Sequence, residues 1–91
     1  MNNIWNKITD DPVTLPPLDT PVFVAGGNLR WPLIQARSEV YDENSNLAWA
    51  WCMPDCISWD GGLRKWTADD FEWDDDYQPE YWSAFPVPPE V

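Results

Sequence analysis

From Leu47 onward the chain alternates large and small apolar side chains. In an extended strand this sets Leu47, Trp49 and Trp51 on one side and Ala48, Ala50 and Cys52 on the other. The bulky side is expected to fill the core while the small side lies close beneath another element. The alternative is an exposed tryptophan row used for contact, since large exposed apolar patches mark contact sites. Residues 22–25, VFVA, form a shorter β-prone run, and the GGN at 26–28 supplies positive-φ turn positions, so a strand and a hairpin turn are expected there. Residues 33–41 alternate loosely, as a half-exposed strand does, and DENSN closes them. WDGGLRKW reads as a turn followed by a strand and PEYWSAF as a last strand. PVPPEV must leave any sheet, because successive prolines lack the N–H groups a ladder needs.

One stretch carries a helical signal. Thr67 followed by Asp70 resembles a capping box, and Trp66 with Phe71 fits the accompanying hydrophobic staple. Asp69, Asp70 and Glu72 would then favour the positive end of a helix dipole. A helix here would be short, because at 100° per residue the acids from Asp69 to Asp76 surround it and leave only Trp73 and Tyr77 as neighbours on one side. Asp74, Asp75 and Asp76 would crowd its far end, where like charges repel and the dipole is unfavourable. The expected architecture is mainly β, with α+β as the alternative. It is a small twisted antiparallel sheet or open barrel of four or five short strands, with one short helix near 67–76.

At 91 residues the chain forms one domain, with no internal repeat and no linker. A core this small must be built from few residues. Eight tryptophans, three tyrosines and three phenylalanines supply it, and they argue against disorder despite the charge. That charge is −11, and no Lys or Arg follows Lys65. Such a field repels nucleic acid and anionic membranes and attracts basic protein surfaces. The beginning has no apolar core of signal-peptide length and no run approaches a membrane span, which points to the cytoplasm.

Several chemistries fit poorly. Cys52 and Cys56, in CMPDC, fall two ligands short of a structural zinc site, and the chain has no histidine. A small buried thiol at Cys52 is the simpler reading, and a local disulfide across 53–55 is the alternative. DFEWDDDYQPE lacks the spaced aspartates and central glycine of a calcium loop. Paired-carboxylate catalysis, with Asp60, Asp69 or Asp76 as nominal members, needs a cleft that a chain this short has little room for. No catalytic activity, metal or cofactor is expected. What remains for DDFEWDDDYQPEYW is a surface that imitates a phosphate backbone, or a merely solvated acidic face. In the first reading Asp69, Asp70, Glu72, Asp74, Asp75, Asp76 and Glu80 meet the Lys and Arg of a partner's nucleic-acid groove, joined on folding by Asp55, Asp60 and Glu90. Trp73 and Tyr77 then stand where bases stack, or act as anchors. The partner is the basic surface of a nucleic-acid-binding protein; no direct contact with nucleic acid or membrane is expected.

The two ends add a resemblance. Trp5, the LPPLDTPVFV run with Pro16, Pro21, Val22 and Val24, and the closing YWSAFPVPPE with Trp82, Phe85, Pro86, Pro88 and Pro89 are similar to the terminal signatures of a family of small phage and prophage proteins, domain of unknown function 551. The likeness covers about a third of the chain by the residues quoted. Tyr81 stands where the family tends to show His, Phe85 replaces an aliphatic residue, and the acidic middle is unlike the usual members. The resemblance implies a phage origin and hence a host cytoplasm, and brings no activity with it. In charge alone the chain is also similar to phage anti-restriction and anti-CRISPR inhibitors, several of which mimic nucleic acid. A structural or adaptor module with a Trp-rich β surface is the alternative.

Overall fold

The computed structural model describes residues 4–73 and 76–87. Within these residues six strands form one open antiparallel sheet: β1 Asn6–Lys7, β2 Val22–Ala25, β3 Leu33–Tyr41, β4 Leu47–Asp60, β5 Lys65–Trp73 and β6 Tyr81–Ala84. Their order is β1-β6-β2-β3-β4-β5, so β1 and β5 are edges. A 3-10 turn, Pro12–Thr14, is capped by the Asp11 carboxylate, which accepts from the Val13 N–H. No helix among the described residues is long and apolar enough to cross a membrane.

The mainly β expectation holds, with six strands in place of four or five. The helix near 67–76 does not form: residues 67–73 belong to β5 and pair with β4. A capping box contributes about 0.5–2 kcal/mol, but this helix would have had no apolar stripe to bury. As a strand the same residues place Trp66 opposite Trp59, with ring centroids 5.4 Å apart, and set the Ser58 and Thr67 hydroxyls 3.2 Å from one another. The turn that returns the chain is fixed by Asp60, whose Oδ1 accepts from the N–H groups of Gly62 and Leu63. A second carboxylate, Asp42, does the same for Asn44 and Asn46 between β3 and β4. Asp74 and Asp75 lie outside the described residues.

One face of the sheet gathers Val22, Val24 and Trp51, with Ile8, Leu29, Leu33 and Trp82 packed against them. The register explains the set, since Val24 sits between Leu33 and Trp82 across the ladders. The N-terminal segment covers this face: the Trp82 indole N–H donates to the Thr14 carbonyl at 2.7 Å, and Arg37 Nε donates to the Pro16 carbonyl at 2.8 Å. Cover stops near Arg37, and the tryptophan row divides accordingly. Trp51 is buried, Trp49 is 37% exposed beneath the Arg37 guanidinium, and Leu47 is 59% exposed. Gln35 also enters the core, opposite Val22, and neither of its side-chain polar atoms has a hydrogen-bond partner among the described residues.

The opposite face is closed differently. Beyond Cys52, β4 parts from β3 and continues with β5 as a two-stranded arm. Two register shifts, between Met53 and Asp55 and between Asp55 and Ser58, interrupt the arm, and Cys56 and Asp70 have positive φ. Such irregularities bend a hairpin. The bend carries Trp66 onto Phe85, at 5.3 Å, and Phe85 in turn lies 4.4 Å from Phe23 of β2. In a flat sheet β2 and β5 would be about 14 Å apart, three strand spacings. The rings therefore span the concave side of a curled, unclosed sheet.

The β2–β3 turn uses both its glycines with φ of 78° and 60°. A Cβ on Gly27 would overlap the Gln78 carbonyl oxygen. Gly27→Ala is expected to lower stability by more than the roughly 1–2 kcal/mol of the left-handed conformation alone. A drop in melting temperature beyond about 8 °C by circular dichroism is the expected result.

Candidate functional site

The acidic stretch is divided between two places. Its first part runs along β5, the outer edge strand. Asp69 is the register partner of Asp55, which sets two carboxylates directly across a ladder, an arrangement that disfavours pairing. Asp70 stands beside them: carboxylate or thiol atoms of Asp55, Cys56 and Asp70 lie within 4.8 Å of one another, and all three residues are exposed. This cluster sits at the bend, where the register shifts and the positive φ of Cys56 and Asp70 turn side chains out of strict alternation. Glu72 faces Met53 and Trp73 faces Cys52, so these neighbours project to opposite sides of the strand. Trp73 is 56% exposed.

Asp76, Tyr77 and Glu80 belong to the second place, beside the β2–β3 turn. Asn28 holds them there: its Nδ2 donates to the Asp76 carbonyl at 2.6 Å and its Oδ1 accepts from the Gln78 N–H at 2.8 Å. The Glu80 N–H donates to the Ala25 carbonyl, and the Glu80 carbonyl accepts from the Ile8 N–H. Glu80 also approaches Lys7 at 3.9 Å, the one ion pair between described residues. At such exposure a pair of this kind contributes about 0–1 kcal/mol. Tyr77 lines a surface cavity of about 310 Å³ with Leu29, Arg30, Trp31 and Leu33. Trp73 lines another of about 310 Å³ with Tyr41, Trp49 and Trp51, at the part of β4 that β5 does not reach. The two aromatic residues expected to act together thus stand over separate clefts.

Extended backbone also changes the charge spacing. A helix would have presented one acid per roughly 3 Å of axis; a strand presents one per roughly 6 to 7 Å. Pairing across the ladder recovers density locally, because opposed residues have Cβ atoms about 4.5–5.5 Å apart, and Asp55 is the residue that folding brings in. Asp60 is committed to its turn, and Glu90 lies outside the described residues.

Both cysteines are free thiols, one buried and one exposed. Burial, and then the Asp19 charge, push the Cys52 thiol up. The Asp55 charge first, then desolvation, then the Asp69 and Asp70 charges push the Cys56 thiol up. The residues between them are extended strand with a bulge, so no turn brings the two sulfurs together. Asp55, Cys56 and Asp70 offer three donors, against the four of a structural zinc site and the six to eight oxygens of a calcium site. Their geometry is that of a charge cluster on a bent edge.

The cluster has a direct readout. Nearby carboxylates disfavour the thiolate, so alkylation of Cys56 should follow pH with a midpoint above that of an unperturbed cysteine, about 8.5. Asp55→Asn should move the midpoint down and speed the reaction at pH 8.5, as measured by mass spectrometry. An unchanged profile would show that Asp55 does not act on the thiol. No protein-family model, curated protein or solved structure matches this chain.

Proposed function

We propose that this protein is an acidic binding module that occupies a cationic groove on a nucleic-acid-binding protein and so competes with the polymer. The observation that carries the reading is the convergence of Asp55, Asp69 and Asp70 on an exposed edge, with no ion pair to any described Lys or Arg. Strand pairing gains nothing from opposed carboxylates, whereas a positively lined groove does. Glu72 extends the charge along β5, and Trp73 provides an aromatic anchor at its end. With the terminal resemblance to phage proteins, the partner class is a host defence protein of the CRISPR or restriction type, met in the host cytoplasm. The role is inhibition by occupancy and involves no catalysis.

A second reading has its own support. Tyr41, Leu47 and Trp49 are exposed around the uncovered part of β4, so an adaptor gripping a partner through these apolar side chains would need the acids only for solubility. The two readings separate in a displacement assay, with labelled single-stranded DNA bound to purified defence nucleases. The intact protein should displace the DNA at low salt and less well as salt rises. The triple variant Asp55→Asn, Asp69→Asn, Asp70→Asn should need at least about ten-fold more protein, near 1.4 kcal/mol, while Trp49→Ala should match the parent. The adaptor reading predicts the reverse ranking. Failure of the intact protein to displace DNA from any such nuclease at low salt would end the first reading.

A further inference from the structure

The aromatic junction on the concave side is used by the fold, yet its chemistry is that of a peptide site. Phe85 lies between Phe23, at 4.4 Å, and Trp66, at 5.3 Å, and Trp59 backs Trp66 edge-on. One residue on, the Trp66 indole N–H donates to the Pro86 carbonyl at 3.1 Å. The chain then leaves the surface: Pro86 is exposed and Val87 is 64% exposed. The junction therefore combines a slot for a ring with a fixed donor aimed at the next carbonyl. Proline suits that second position, because it cannot pair in a ladder and its φ is already restricted, so little freedom is lost on docking. Aromatic-lined grooves recognise proline-rich segments on the same grounds.

We infer that the groove formed by Phe23, Trp59 and Trp66 is a binding site for extended aromatic–proline segments, occupied in the free protein by the chain's own Phe85–Pro86. A partner bearing such a segment docks by displacing it. The seated segment shows what the groove accepts. Exchange spares the strand ladder, since β6 pairs with β2 through Val22–Ala84 to Ala25–Tyr81, all before Phe85, and the partner's ring takes over the bridge from Phe23 to Trp66. This site lies on the face opposite the N-terminal cover and does not depend on the acidic edge.

The test uses the full chain and the peptide spanning Ser83 to Val91, followed by the Trp66 indole N–H signal in NMR. The intramolecular segment competes at an effective concentration in the millimolar range, so the intact protein should respond only at about millimolar peptide. Phe85→Ala removes the competing ring, and its response should shift to at least about ten-fold lower peptide. The same peptide with its Phe replaced by Ala should leave the signal unmoved. If Phe85→Ala loses its cooperative melt, Phe85→Leu takes its place. A Trp66 signal in the intact protein that ignores about 10 mM peptide, well above the expected effective concentration, overturns the inference, as does equal response of intact and Phe85-substituted chains.

Discussion

The contact on which this structure depends is the aromatic junction of Trp66, Phe85 and Phe23. Only the first part of β4, Leu47–Cys52, is paired with β3, so the arm beyond it is held to the sheet by what its far end can grip. Two residues at the bend, Cys56 and Asp70, adopt left-handed backbone at a cost of about 1–2 kcal/mol each. Aromatic pairs contribute about 0.5–1.5 kcal/mol apiece beyond the area they bury, so the stack and the Trp66–Pro86 hydrogen bond offset a cost of their own size. The curvature of the sheet is therefore set by a few rings rather than by continuous pairing, and the acidic cluster lies at the bend those rings maintain.

The two halves of the molecule are stabilised by different means. Around β2 and β6 the ladder is continuous, the valines are fully covered, and the glycine turn is locked by Asn28 to the segment that leads into β6. Around β4 and β5 pairing is interrupted, no residue from Met53 to Trp73 is buried, and like charges face one another. A surface that must yield to a partner's groove is better placed in the second region, because local rearrangement there leaves the valine core intact. Gln35, buried without a hydrogen-bond partner among the described residues, shows that even the first region is not packed for maximal stability.

The strands at 22–25 and 33–41 were legible because alternation and punctuation agree there: a β-prone run, a glycine pair, a second run and an Asp-Asn turn. At 67–73 local and non-local signals conflict. The capping residues speak for a helix over a few neighbours, while Trp59 and the Asp60 turn, outside that window, commit the segment to a hairpin. Asp55 was legible as an acid but its position was not, since opposition to Asp69 depends on two bulges that shift the register. The burial of Trp51 and exposure of Leu47 were equally hidden, because they follow from where an N-terminal cover stops. The two-residue β1 carries no periodicity at all.

An outer strand presents unpaired amide and carbonyl groups along its free side, a template on which further copies can stack. On β5 the guard against that outcome is the repulsion between Asp69, Asp70 and Glu72 of one molecule and those of the next. This guard is chemical rather than steric, and because the three side chains are exposed, dissolved salt screens it. Colloidal behaviour and folding thereby rest on different forces: salt weakens the barrier between molecules, while the valine core is held by burial that salt does not screen.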